Sequence, residues 1–142
     1  MTKVVINKCF GGFGLSHEAV MRYLEIKGIP VYPEQGTDYW KFWTYWTVKP
    51  EDRIESKEGE EFYKMSMEDR RAYNKAHSEQ AFYERDIARD DPALVKVVEE
   101  LGAVACGSYA ELVVVEIPDG VEWDIEEYDG NEHIAERHRT WG

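Results

Sequence analysis

A chain of 142 residues falls within the size of one domain, and 43% hydrophobic with 13% aromatic content argues for a folded core despite 32% charge. The net charge of −12 is uneven: residues 1–50 hold six Lys/Arg against four Asp/Glu, whereas nine acids and no Lys or Arg lie between Glu116 and Glu136. Such a surface repels phosphate backbones, which excludes a conventional DNA or RNA binder, and no apolar run approaches the roughly 20 residues of a membrane span.

Lys3 to Phe10 reads as a strand covered on both sides, with Val4 and Ile6 on one face and Val5 and Cys9 on the other. The loop Gly11-Gly12-Phe13-Gly14 follows. Ser16 then caps a helix, Glu18 lies in its first turn, and Leu15 and Val20 occupy hydrophobic-staple positions. That helix buries Val20, Tyr23 and Leu24 and stops at Gly28. Residues 29–38, with two prolines and a glycine, read as a loop. The run YWKFWTYWTV, Tyr39 to Val48, reads as a strand with aromatics on both faces, to be packed by the fold or by a second subunit of a homo-oligomer.

Residues 51–64 are charged and edge-like. Ser66 and Asp69 start a polar surface helix reaching about His77, and Gln80 to Ile87 suits a short strand. Asp90 or Asp91 caps a helix with Pro92 at its start, Leu94, Val98 and Leu101 on its buried stripe, and Gly102 at its end. Glu111 to Ile117 is strand-like. The turn Pro118-Asp119-Gly120 joins it to Val121–Glu126 as a hairpin with an acidic face, and Asn131 to Trp141 suits a last short helix. The expected fold is a single α+β domain over residues 1–142, a mixed or antiparallel sheet of four to five strands with two to three helices packed on it.

The glycine loop before a capped helix presents free N–H groups that suit an anion, although glycines there also serve merely to turn the chain. GFGLSH matches only the first two glycines of GxGxxG, and no GK[ST] follows. In the tail, His133 and His138 are five residues apart, about 140° around a helix, so they miss the spacing of a zinc hydrolase. Arg137, His138 and Arg139 form a compact cationic cluster that would suit a phosphate or carboxylate, with Trp141 as a stacking surface. Core packing is the expected task of Phe10 and Phe13, with stacking on a base as the alternative. No catalytic set, metal site or cofactor is expected. The start, MTKVVINKCF, has no apolar signal core followed by a cleavage site, so a cytoplasmic location is expected, where Cys9 and Cys106 stay reduced, buried thiols.

VVINKCFGGFGLSHEA, RDDPALVKVVEELG and VVVEIPDGVEWDIEEYDGNEHIAERHRTW together resemble segments of a group of short bacteriophage and prophage proteins. The likeness covers somewhat over half the chain, leaves 29–85 unmatched, and brings no catalytic residues to carry over. It implies a small phage accessory protein acting in the bacterial cytoplasm. On that basis two binding functions are expected. One is capture of a small phosphorylated ligand, plausibly a nucleotide signal of host defence, by Phe10, Gly11, Gly12, Phe13, Gly14, Ser16, Trp43, Arg137, His138, Arg139 and Trp141. The other is acidic mimicry that occupies a host protein's nucleic-acid-binding surface. A small nucleotide-cleaving enzyme is the third expectation.

Overall fold

The computed structural model describes residues 1–37, 39, 41–55 and 59–137. Its secondary structure is α+β, with seven strands in three antiparallel sheets of two, three and two strands, rather than one sheet of four or five. The chain divides into two compact units, residues 1–28 with 84–142, and residues 29–83. Among the described residues no helix is long and apolar enough to cross a membrane.

In the first unit β1 (Thr2–Asn7) pairs antiparallel with β5 (Leu112–Ile117), with Val4 opposite Val115 and Ile6 opposite Val113. Val4, Val5, Ile6 and Asn7 are all buried, so β1 is covered on both faces as its unbroken apolar run requires. Helix α1 (His17–Lys27) starts where the Ser16 side chain accepts the Ala19 N–H, and it stops at Gly28 in the left-handed conformation. Helix α4 (Pro92–Leu101) has Asp91 as its cap, accepting the Ala93 N–H. Leu24 of α1 and Leu94 of α4 are fully buried, and the Tyr23 hydroxyl donates to Asp91 at 2.7 Å, tying α1 to the start of α4. Burial first, and then that hydrogen bond to a carboxylate, push the Tyr23 phenol above its ordinary value.

The C-terminal region departs from expectation. Strand β6 (Trp123–Tyr128) does not pair with β5 across Pro118-Asp119-Gly120; it forms a hairpin with β7 (Asn131–Glu136). The tail expected to be helical is therefore a strand up to Glu136, and residues 138–142 lie outside the described residues. The hairpin turn is Asp129-Gly130, with φ of 48° and 87°, the left-handed pair that a two-residue loop demands. Cys9 lies just past β1 rather than within it, and both cysteines are half-buried free thiols rather than core residues. Cys106 Sγ accepts the Leu112 N–H at 3.3 Å.

In the second unit, residues expected to form a loop supply β2 (Tyr32–Gln35), which pairs with β3 (Trp43–Trp46). The aromatic strand is thus only four residues long, because Lys41 turns the chain at a φ of 50°. Trp46 is buried, whereas Tyr39 and Phe42 are exposed. A short β4 (Ala81–Phe82) completes the sheet and gives way to a 3-10 turn at Glu84–Asp86, where a longer strand was expected. Helix α2 (Glu60–Tyr63) precedes α3 (Met67–Gln80), which is capped by Ser66 and has no buried residue, as its polar sequence requires. Arg53 lies 4.7 Å from the Trp46 ring, the tilted His77 ring is 5.0 Å from it, and His77 Nδ1 lies 2.6 Å from the Tyr83 hydroxyl.

A Cβ placed on Gly130 would sit 2.2 Å from the Gly12 nitrogen, whereas one on Gly28 meets nothing within 4 Å, although both residues have positive φ. Gly28→Ala therefore costs only the left-handed penalty, about 1–2 kcal/mol. Gly130→Ala adds a backbone overlap worth about 1–3 kcal/mol more. Urea denaturation of the two variants checks this; equal losses would mean that the hairpin turn does not rest on the glycine loop.

Candidate functional site

A two-stranded sheet leaves β1 with an open edge, and here that edge is buried. Its outward-facing donors at Val5 and Asn7 must find partners inside the protein. The Val5 N–H donates to the Arg89 carbonyl at 2.9 Å, and the Asn7 N–H donates to Glu132 Oε1 at 2.8 Å. The two residues that complete the edge also pair with each other: Arg89 makes a bidentate bridge to Glu132, at 2.7 and 2.9 Å. Glu132 is only 4% exposed. Burial pushes its carboxyl up, but the Arg89 hydrogen bonds, the Asn7 N–H and the Arg89 charge outweigh this and hold it below the ordinary value. Phe13 lies under the Arg89 guanidinium, 3.6 Å from ring centre to Cζ.

Asn7 joins this bridge to the glycine loop. Its side-chain oxygen accepts from the N–H of Cys9 and of Glu111, and its amide nitrogen donates to the carbonyls of Cys9 and Gly130. Three loops consequently meet backbone to backbone. Gly130 abuts Gly12, a Cβ on Gly11 would lie 2.7 Å from the Tyr109 Cβ, and the Gly107 N–H donates to the Gly14 carbonyl. Close approach between chains is the visible use of these glycines.

The start of α1 is similarly committed. The Ser16 N–H donates to the Ala105 carbonyl and its hydroxyl to the Val104 carbonyl. The Leu15 N–H donates to Glu84 Oε2 at 2.7 Å, so a carboxylate of the chain itself already sits where an anion would bind. Burial raises the Glu84 carboxyl above its ordinary value, only partly offset by the Leu15 N–H.

Of the residues grouped from sequence, the structure brings Phe10, Gly11, Gly12, Phe13, Gly14 and Ser16 into one loop and helix start. Phe13 packs on Arg89, but Phe10, expected in the core, is 64% exposed. Arg137 is at the other end of the hairpin. Gly130 touches the loop, and seven extended residues at about 3.3 Å each carry the chain about 20 Å away from it. There Arg137 is bidentate to Asp124, at 2.8 and 3.1 Å, which lowers the Asp124 carboxyl, chiefly through that hydrogen bond. Trp43 belongs to the second unit. His138, Arg139 and Trp141 lie outside the described residues.

Sequence reasoning passed over Asn7, Arg89 and Glu132. An Asn closing an apolar strand was a usable signal, since such a residue must satisfy its amide inside the protein. Glu132 gave none, being one acid among many. His133 instead faces outward and pairs with Glu126 at 3.0 Å across the hairpin. Among the described residues no three His, Cys, Asp or Glu side chains are grouped to hold a metal ion.

The hairpin presents the acids outward. Glu122, Asp124, Glu126, Glu127, Asp129 and Glu136 are exposed, and Glu132 alone among the hairpin acids is drawn inside. At the tip Tyr128, 74% exposed, meets Phe10 edge to face with ring centres 6.5 Å apart. Compared with protein-family models, with curated proteins and with solved structures, the chain matches none of them.

The two inward carboxylates respond to pH with opposite sign. Glu132 has a lowered folded value, so its contribution is complete above the ordinary 4.5 and is lost as pH falls through the folded value. Glu84 has a raised folded value, so its ionisation costs stability as pH rises from the ordinary 4.5 through the folded value. At about pH 7, Glu132→Gln should destabilise by about 3 kcal/mol, because Arg89 loses its charge partner in a buried setting. Glu84→Gln, which keeps an acceptor for Leu15 and removes a half-buried charge, should raise the melting temperature. Melting curves from about pH 2 to 8 read both; a Glu84→Gln protein less stable than wild type at neutral pH would contradict the assignment.

Proposed function

We propose that this protein acts by binding, as an acidic interaction protein that occupies the cationic, nucleic-acid-binding surface of a partner protein. The phage accessory context suggested by sequence would make that partner a protein of the bacterial cytoplasm. The observation that supports this reading is the β6–β7 hairpin: one end is anchored through buried Glu132, and six exposed carboxylates project from the rest. A rigid, extended array of negative charge approximates a phosphate backbone, steers a basic surface toward it and repels nucleic acid. Arg137 and His133 lie within this array, Arg137 paired with Asp124 and Glu122 and His133 with Glu126, and the acids still outnumber them, leaving the field negative.

Capture of a small phosphorylated ligand ranks second. It draws on the glycine loop, but a phosphate there would have to displace Glu84 from Leu15, and Arg137 is about 20 Å away along the hairpin. A rise in melting temperature with a nucleotide, lost in Arg137→Ala, would reverse this ranking.

The docking reading predicts that the purified protein retains a bacterial partner that elutes with salt and is displaced by duplex DNA. A variant with Glu122, Asp124, Glu126 and Glu127 changed to their amides should lose at least tenfold in affinity for that partner while keeping its fold, since all four side chains are exposed. Retention that is indifferent to salt and to the four substitutions would overturn the reading.

A further inference from the structure

The hairpin tip carries more than charge. Phe10, Tyr109 and Tyr128 are 64%, 75% and 74% exposed; Phe10 and Tyr109 stem from two of the loops whose backbones meet at the glycines, and Tyr128 ends β6 just before the third. Phe10 and Tyr128 are in edge-to-face contact, their planes 82° apart. Tyr109 leaves the chain against Gly11, the residue next to Phe10. Large exposed aromatics gathered from separate loops are the feature of a surface that a partner covers. Their backbone is held in advance: Asn7 donates to the Gly130 carbonyl and accepts from the Glu111 N–H, and Gly130 rests on Gly12. Little ordering is left to be done on binding.

The rim is acidic. Asp129 follows Tyr128 directly, Glu126 shares its face of β6, and Glu111 is anchored on the same Asn7 amide; all three are exposed. Lys8, the cation adjacent to Asn7, donates to the Glu132 carbonyl at 3.2 Å. Aromatic faces beside carboxylates fit one side chain above others, the guanidinium of arginine, which stacks on a ring and pairs with a carboxylate at once. The protein already makes this arrangement internally, with Arg89 over Phe13 and bidentate to Glu132. Phosphate-bearing partners are disfavoured by the same rim, since an anionic lipid surface or a nucleic acid would bring its own negative charge against it.

We propose that Phe10, Tyr109 and Tyr128, with Glu126, Asp129 and Glu111 around them, form a docking surface for an arginine-bearing basic segment of a partner protein. This rests on the docking reading above and names the contact that would give it preference among basic surfaces. The test is titration calorimetry of the full chain with two synthetic peptides of equal length and charge, one arginine-rich and one lysine-rich, both without aromatic residues. The arginine peptide should bind about five- to tenfold more tightly. A Phe10→Ser/Tyr128→Ser protein should bind both peptides at the weaker, lysine level, and its melting temperature should stay near wild type because both rings are exposed. A Glu126→Gln/Asp129→Asn protein should bind both peptides more weakly. Equal binding of the two peptides, unaffected by loss of the rings but weakened by loss of the acids, would overturn the aromatic surface and leave the docking reading standing. Binding of neither peptide, or binding indifferent to the acids, would overturn both.

Discussion

The first unit depends on how one buried strand edge is completed. β1 is the most deeply buried strand, and β5 satisfies only one of its sides. An unpaired backbone N–H in such a place costs about as much as a lost hydrogen bond, and two of them face the open side. Arg89 and Glu132 answer both, one with its backbone carbonyl and one with its carboxylate, and then neutralise each other. A buried ion pair is seldom a large net gain over an apolar contact. Here its value lies in position, because the Glu132 carboxylate ties the β6–β7 hairpin to the β1 backbone, beside the Asn7 bond to the Gly130 carbonyl.

That arrangement separates the acids by task. Glu132 is drawn inside and kept ionised by its partner; Glu84, half-buried, accepts the Leu15 N–H at the start of α1. Six acids of the hairpin remain exposed among the described residues. The glycine loop belongs to the first of these tasks, since it lets three loops converge close enough for Asn7 to bond across them. The ring of Phe10 at its start is left exposed.

What could be read from sequence were the features decided within a few residues. Ser16, Ser66 and Asp91 cap their helices because each hydroxyl or carboxylate reaches an N–H two or three positions on. The covered strand β1 was legible from its unbroken apolar run. Strand partnership was not, because it is settled across more than a hundred residues: β5 is taken by β1, which leaves β6 to find β7. Asp129-Gly130 is the stronger hairpin signal, since both residues take the positive φ of a two-residue turn. The tail from Asn131 was expected to be helical, yet Ile134 lies opposite Ile125 and Glu132 faces inward as alternate residues of a strand. In the candidate site the loop was visible and its anchor was not, since nothing local distinguishes Glu132 from the eight other acids between Glu116 and Glu136.

The central claim is that the Arg89–Glu132 bridge holds the hairpin to β1. Residue-resolved hydrogen exchange on an Arg89→Met protein tests it most directly, with the Asn7 amide, which donates to Glu132, as the nearest reporter. The account predicts that protection in β6, β7 and at Asn7 falls about a hundredfold, while α1 and α4 retain most of theirs. Unchanged protection in the hairpin, or an equal loss throughout the unit, would contradict it.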